Sequence, residues 1–281
     1  MINIITDTTS GLPLEISNRY RIPVIPQIIN FGNQSFYEGI DIDNSTFMRM
    51  LRASKELPKT AAPPPELFVH EFNNLVPTGG TIFCIHPSAE VSGTVRSALT
   101  AAQEFPNADI RVIDTCTIGS PLASLVQLAA ELVSQGEDAD SIEKMLNQMI
   151  LRNRIYFLVD TLEYLAKGGR IGGATALLGS ILKIKPILTL SDGRVEQYEK
   201  ARTQKHATDR LFELVKSQAA KNREAYISVM HAAIPELAQE FADKLCAEFG
   251  LNSIPILDVP PAIVVHGGPG ILAVAFFTDG M

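Results

Sequence analysis

The alternation of short apolar runs with longer amphipathic patterns limits the fold of this chain more than any other feature. In the first half, strand-like runs such as Ile2–Ile5 and Thr81–Ile85 are separated by helical patterns such as Pro65–Leu75. Strands that alternate with helices favour a parallel sheet covered by helices. The second half contains a hairpin signal, Ser-Asp-Gly at 191–193, between two strand-like runs, which favours a mixed sheet there. We therefore predict an α/β protein.

The length of 281 residues is sufficient for two domains. The amphipathic pattern Ser141–Arg152 ends shortly before the strand-like run Tyr156–Val159, so we place a boundary near Arg154. We predict an N-terminal parallel-sheet α/β/α domain at residues 1–154 and a C-terminal α/β domain with a mixed sheet at residues 155–281. A cleft shared by two domains is a favoured place for a ligand, and we expect the ligand there.

Composition excludes several classes of function. The net charge of −7 and the lack of an aromatic-interleaved basic stripe argue against nucleic-acid binding. Hydrophobic residues make up 46%, but no window approaches the ~20 consecutive apolar residues of a membrane span. We therefore expect no stable membrane insertion, and a large core or an apolar internal cavity instead. The N-terminus shows no signal-peptide pattern.

Cysteine and histidine spacing argues against a metal site. Cys84, Cys116 and Cys246 lie far apart in the sequence, and the histidines lack metal-ligand spacing. An odd number of separated cysteines suggests a reduced environment, so we expect a cytoplasmic protein.

The segment Asp160–Leu190 combines two glycine pairs with several cations in an acidic chain. Lys167 and Arg170 lie in its first part, and we predict an apolar helix at Ala174–Leu182. This composition suggests a surface that meets an anion. The alternative is an ordinary helix end followed by a new helix start.

Three polar residues are candidates for ligand binding. Prolines follow Thr60 closely, so we expect it on a stiff loop before a helix, where its alternative role is a local turn hydrogen bond. A helix should begin near Gly93, which places Ser92 and Thr94 at a positive N-terminus suited to an anion. Ordinary N-capping by Ser92 is the alternative. His266 follows an apolar run, where a structural role is the alternative.

Signatures of nucleotide binding and hydrolysis are absent from the sequence. We find no P-loop and no dinucleotide fingerprint after a strand, and Glu90 occupies the first glycine position of a GxSxG elbow around Ser92. An aspartyl phosphatase would carry a second acidic residue two positions after Asp7, but Thr9 lies there. We therefore predict helix capping or loop hydrogen bonding for Asp7. Asp114 is predicted to cap the next helix.

Four motifs together resemble the DegV family, bacterial fatty-acid-binding proteins of the FakB type that serve as lipid-binding subunits of a fatty acid kinase. The motifs are IITDTTSGLP, PSAEVSGTVRSA, VDTLEYLAKGGRIGG with LLGSILKIKPIL and DGRVEQYEKARTQKHA, and HGGPGILAVAF. They extend in family order from residue 2 to residue 277. The resemblance implies two α/β domains that enclose one fatty acid, with no other cofactor.

The resemblance also implies how the acyl carboxylate is bound. Thr60, Ser92 and His266 occupy the positions of the family's Thr, of the Ser in Ser-Gly-Thr and of the His in His-x-Gly-Pro-Gly. Gly93 and Thr94 would complete the anion site.

The family further implies a separate ATP-dependent kinase that converts the bound fatty acid to acyl-phosphate. We therefore expect a presenting subunit rather than an enzyme. Lys167, Arg170 and Arg202 are candidate contacts for the kinase or the acyl-phosphate, and surface charge or interdomain pairing is their alternative role.

The chain departs from the family pattern in two places. Ala61 and Ala62 replace the usual Ser-Gln, and Gly119, Pro121 and Ala123 occupy positions where a pocket wall is expected. The preferred acyl length and unsaturation therefore stay open. Three other functions also stay open: a serine hydrolase using Ser92 and His266, a phosphotransferase using the glycine-rich segment, and a carrier of another hydrophobic carboxylate.

Overall fold

The structure is a computed structural model that describes residues 1–177 and 184–280. The chain folds into two compact units, Met1–Leu151 and Arg152–Met281. The predicted boundary near Arg154 lies just inside the first strand of the second unit, which begins at Asn153.

The first unit contains both sheet-forming and helical elements throughout its length. In chain order they are β1 (Ile2–Asp7), α1 (Leu14–Tyr20), β2 (Val24–Ile25), β3 (Ile28–Phe31), β4 (Gln34–Tyr37), α2 (Asn44–Ala53), β5 (Lys59–Ala61), α3 (Pro65–Leu75), β6 (Thr81–His86), α4 (Thr94–Ala102), β7 (Asp109–Asp114), α5 (Ser120–Gln135) and α6 (Ala139–Arg152).

The main sheet of the first unit is parallel, in the order β2-β1-β6-β7, as predicted. Side chains alternate between its two faces along each strand. Ile82 and Cys84 pack in one cluster with Phe68 and Phe72 of α3 and with residues of α4. The intervening Phe83 is fully buried, and α5 packs against β1 and β6. Helices therefore cover both faces of this sheet.

A second, antiparallel sheet in this unit has the order β4-β3-β5. The sequence pattern predicts one strand over Val24–Asn30, and this is wrong because the chain divides it into β2 and β3. Pro26 lies at the break, where the missing N–H cannot join a ladder. The short strands β4 and β5 and the helix α1 were not predicted.

The second unit is built around strands that come from both ends of its sequence. In chain order its elements are β8 (Asn153–Leu158), α7 (Glu163–Lys167), β9 (Lys185–Ser191), β10 (Arg194–Ala201), α8 (Gln204–Gln218), β11 (Ser228–His231), α9 (Pro235–Phe249), β12 (Ile256–Asp258), α10 (Pro261–Gly267) and β13 (Leu272–Phe277).

These strands form one mixed sheet in the order β10-β9-β8-β13-β11-β12, in which only β11 and β12 among the described strands pair in parallel. The mixed sheet was predicted. The hairpin between β9 and β10 turns at Asp192 and Gly193, which both have positive φ, as a two-residue hairpin turn requires. Leu211 of α8, Phe241 of α9 and Phe276 are buried together in its core.

The predicted apolar α-helix at Ala174–Leu182 is not found where the structure describes the chain. A 3-10 helix spans Gly172–Leu177 instead, and residues 178–182 lie outside the described part. Among the described residues, none of the helices combines the length and hydropathy that a bilayer span requires.

Candidate functional site

The carboxyl edge of the parallel sheet brings polar residues together. The chain places β2 on one side of β1 and β6 on the other, so the strand order reverses between β1 and β6. Ligands of open α/β sheets bind outside the carboxyl ends of the strands at such a point. Asp7 and His86 end these two strands, and His86 Nδ1 lies 2.8 Å from Asp7 Oδ2 with both side chains fully buried.

Asp7 organises the turn that follows β1. Its Oδ1 accepts hydrogen bonds from Thr9 N at 3.0 Å, Thr9 Oγ1 at 2.6 Å and Gln27 Nε2 at 3.0 Å. These donors compensate for the loss of hydration of a buried carboxyl group. Asp7 thereby caps the 3-10 helix Thr8–Ser10, which agrees with the predicted capping or loop role.

Ser92 and Thr94 lie at the start of α4, as predicted. Gly93 is the N-cap residue, so the alternative of N-capping by Ser92 is wrong by one position. Ser92 Oγ lies 2.8 Å from Thr94 Oγ1 and accepts a 3.3 Å hydrogen bond from Thr94 N. Gln27 Nε2 donates to Thr94 Oγ1 at 2.8 Å. The hydroxyl of Ser92 is therefore connected to the Asp7 carboxyl group through two buried side chains.

Thr60 lies in β5 rather than on the stiff loop that we predicted. It pairs with Ile29 of β3, and the prolines affect the chain only after β5 has ended. The next segment packs closely on the start of α4, because a Cβ built on Gly93 would lie 3.0 Å from Ala62 Cβ. The structure therefore brings the segment after Thr60 next to Ser92 within the first unit.

His266 lies in the last turn of α10, in the second unit. It is partly buried. Burial first, and the positive charge of Arg170 second, lower the pKa of His266 to about 4. The imidazole is therefore uncharged at neutral pH in the ligand-free protein, and it can bind a carboxylate as a neutral hydrogen-bond donor.

Two glycines allow α7 and α10 to approach each other closely around His266. A Cβ on Gly168 would overlap His266 Nδ1. A Cβ on Gly268, whose φ is +78°, would lie 2.6 Å from the ring of Tyr164. Arg170 Nη1 donates to Gly168 O at 2.8 Å. Gly168, in the first glycine pair of the segment Asp160–Leu190, thus allows close packing against the histidine.

The other cations predicted to meet a partner, Lys167 and Arg202, are exposed residues of the second unit. Lys167 forms an exposed ion pair with Glu163, in line with the alternative role of surface charge. Arg202 is exposed between β10 and α8.

The residues that depart from the family pattern lie at the start of α5. Gly119 N donates to Thr9 O at 3.0 Å, and Pro121 and Ala123 are buried in the first turn of the helix. Asp114 does not cap this helix, because Gly119 occupies the N-cap position. Its carboxyl group accepts from Cys116 N at 2.9 Å instead.

Two residues of this site, Gln27 and His86, were not predicted. His86 could have been found, because it ends the strand next to the one that ends at Asp7. Gln27 carried no signal in the sequence. Across residues 1–177 and 184–280, no three His, Cys, Asp or Glu side chains are grouped to hold a metal ion.

Comparison with known proteins supplies the family. A family model described as "Uncharacterised protein, DegV family" matches residues 1–279. A DegV domain-containing protein of Streptomyces coelicolor is 36% identical over 275 residues, which cover 97% of each chain. A second, from Halalkalibacterium halodurans, is 32% identical over 99% of each chain.

Solved structures are similar over the same length. DegV of Bacillus subtilis, a fatty acid binding protein, has 31% identity and a TM-score of 0.90, with 99% of each chain covered. The fatty acid binding DegV protein of Streptococcus agalactiae has 29% identity and a TM-score of 0.90, covering 100% of this chain and 99% of that one. The DegV family protein of Thermus thermophilus, which binds fatty acid, has 28% identity and a TM-score of 0.89, with 99% of each chain covered. The chain therefore belongs to the DegV family.

Proposed function

We propose that this protein binds one long-chain fatty acid and presents its carboxylate to a separate ATP-dependent kinase, which converts it to acyl-phosphate. The observation that carries the proposal is the full-length similarity, at 28–31% identity, to DegV proteins that bind fatty acids. The proposal requires no cofactor on this chain, because the separate kinase binds the ATP. We place the protein in the cytoplasm, in line with its free cysteines.

Thr60, Ser92 and His266 bind the carboxylate in this proposal. The start of α4 supports this role because a helix N-terminus attracts negative charge, and Gly93 and Thr94 form the N-terminus of this helix. An uncharged His266 adds a hydrogen bond without burying a second charge.

The acyl tail supplies most of the affinity. Each buried methylene contributes ~0.8 kcal/mol, so a tail of about fifteen contributes ~12 kcal/mol before the costs of association. The head group then sets the orientation of the ligand. For this reason a carrier of another hydrophobic carboxylate is the second candidate, and competition among acids with different tails distinguishes the two.

The test of fatty acid binding is native mass spectrometry of the purified full chain, before and after delipidation and addition of palmitate. We expect one palmitate per chain. A protein that carries no lipid and does not take up palmitate would refute the proposal. Ser92→Ala should weaken palmitate binding about tenfold, since a hydrogen bond to a charged group contributes ~1.5–3 kcal/mol.

The kinase step is tested separately. The chain alone should not consume ATP, and acyl-phosphate should form only when a fatty acid kinase is added. Replacing Lys167, Arg170 or Arg202 by Ala should reduce acyl-phosphate formation more than palmitate binding. ATP consumption by the chain alone would instead support the phosphotransferase alternative.

A serine hydrolase is the remaining alternative. Within the first unit, the Ser92 hydroxyl bonds to Thr94, and none of the hydrogen bonds described there joins it to a histidine. Turnover of an acyl ester that is lost in Ser92→Ala would support this alternative.

A further inference from the structure

Gln27 and Thr94 are buried polar residues beside the proposed carboxylate contact, and their hydrogen bonds have a definite direction. We propose that Gln27 is a positioning residue: acting through Thr94, it makes Ser92 donate its hydroxyl proton to the ligand. In this way Gln27 selects a head group that accepts hydrogen bonds, such as a carboxylate. This inference rests on the proposed function.

Asp7 determines which way the side-chain amide of Gln27 points. Asp7 Oδ1 accepts a hydrogen bond from the backbone N–H of Thr9 at 3.0 Å, and a backbone N–H can only donate. The same oxygen is therefore an acceptor for the amide group of Gln27 at 3.0 Å. Only the NH₂ end of that amide can donate. Both side chains are buried, so a reversed amide would place two acceptors against each other without water between them.

The second N–H of the Gln27 amide determines the direction of the next bond. It donates to Thr94 Oγ1 at 2.8 Å. Thr94 is fully buried, so its own hydroxyl proton needs an acceptor within the protein. In the described part of the chain, the acceptor within reach is Ser92 Oγ, 2.8 Å away. Thr94 therefore donates to Ser92.

Ser92 receives two hydrogen bonds and keeps one proton. Its Oγ accepts from the hydroxyl of Thr94 and from Thr94 N at 3.3 Å, which uses both lone pairs of the oxygen. Its own O–H has no acceptor among the described residues. Ser92 is partly exposed, so this O–H is available to a ligand at the start of α4.

A donor of fixed direction discriminates between head groups. A carboxylate only accepts hydrogen bonds, so it gains fully from an O–H that points outward. An alcohol can donate or accept a hydrogen bond, so its affinity falls less than that of a carboxylate when the O–H of Ser92 turns inward. The ratio of the two affinities therefore reports the direction of the chain of hydrogen bonds that starts at Asp7.

The experiment compares palmitate with 1-hexadecanol on the delipidated full chain, by displacement of a fluorescent fatty acid. Gln27→Met retains the length of the side chain but replaces both donors by a thioether sulfur, which is a weak acceptor. Thr94 can then turn its proton towards the sulfur and accept the proton of Ser92. We expect the preference for palmitate over hexadecanol to fall about fivefold, which corresponds to ~1 kcal/mol. Gln103→Met, an exposed site at the other end of α4, is the matched control and should retain the preference.

A double variant separates this role from a purely structural one. In Gln27→Met combined with Thr94→Val, the inward acceptor for the Ser92 proton is gone, so the preference for palmitate should rise above that of Gln27→Met. General damage to the site would lower it further. If Gln27→Met does not fold, Gln27→Asn should give the same fall, because the shorter side chain no longer spans from Asp7 to Thr94 and leaves space for a water molecule that can accept the proton of Thr94.

The outcomes distinguish this inference from the function on which it rests. A wild-type chain that binds palmitate, with an unchanged preference in both Gln27 variants or no recovery in the double variant, overturns the inference alone. An equal fall in Gln103→Met also overturns it. A wild-type chain that binds neither ligand overturns the proposed function and this inference with it.

Discussion

The protonation of His266 should make the ligand-free protein lose stability in mildly acidic solution. The pKa of His266 is lowered from 6.5 to about 4 in the folded protein, mainly by burial and further by the charge of Arg170. Between these two values the unfolded chain binds a proton that the folded chain does not. The contribution to stability is therefore complete above pH 6.5 and decreases as the pH falls towards 4.

The difference between the pKa of His266 in the folded and the unfolded chain sets an upper limit on this loss of stability. Each pKa unit corresponds to 1.36 kcal/mol, so the shift to about 4 gives at most ~3 kcal/mol between pH 6.5 and 4. His266 is only partly buried, and solvent screening reduces this figure. We expect a loss of about 1–2 kcal/mol.

The assay is urea unfolding of the delipidated full chain at several pH values. The chain contains no tryptophan, so circular dichroism is the suitable signal. Wild type is compared with His266→Gln, which removes the titrating group, and with His206→Gln at an exposed position of α8. The unfolding midpoint of wild type should fall more steeply below pH 6.5 than that of His266→Gln. Parallel pH profiles for these two proteins would refute the reasoning.

Three further predictions concern stability and binding. Gly168→Ala should displace the ring of His266, cost about 1–3 kcal/mol of unfolding free energy and weaken palmitate binding; unchanged urea midpoint and affinity would contradict the close packing. Asp7→Ala leaves His86 without its buried partner and should cost about 3–5 kcal/mol; a small change in the urea midpoint would show that the pair contributes little. Lys167→Ala removes an exposed ion pair and should change the midpoint by less than ~1 kcal/mol, so a larger loss would indicate a structural role.

Elements with strong local signals were predicted from the sequence to within a residue or two. The helix Pro65–Leu75 was predicted with both of its ends, because proline at a helix start and an amphipathic pattern are local properties. The hairpin at 191–193 was equally clear, because its turn requires particular residues.

Elements that depend on distant partners were missed. The strand β5 consists of Lys-Thr-Ala, which has no strand pattern, and it exists because β3 offers it a partner. Likewise, Ser92 and His266 lie in recognisable motifs, whereas the hydrogen bond from Gln27 to Thr94 joins positions 67 residues apart. Local sequence carries no information about such a pairing when the residue itself is an ordinary glutamine.

The parallel pairing of β1 with β6 has a consequence for the biosynthesis of the protein. Thr6 Oγ1 donates to Ile85 O across 79 residues of sequence, so β1 leaves the ribosome long before its central partner. At 5–20 residues per second, translation of that interval takes about 4–16 s. Ile4 and Ile5 lack their β6 neighbour during this time, and an unpaired apolar strand associates readily with other chains. We therefore expect the yield of correctly folded protein to depend on how well β1 is shielded until β6 has emerged from the ribosome.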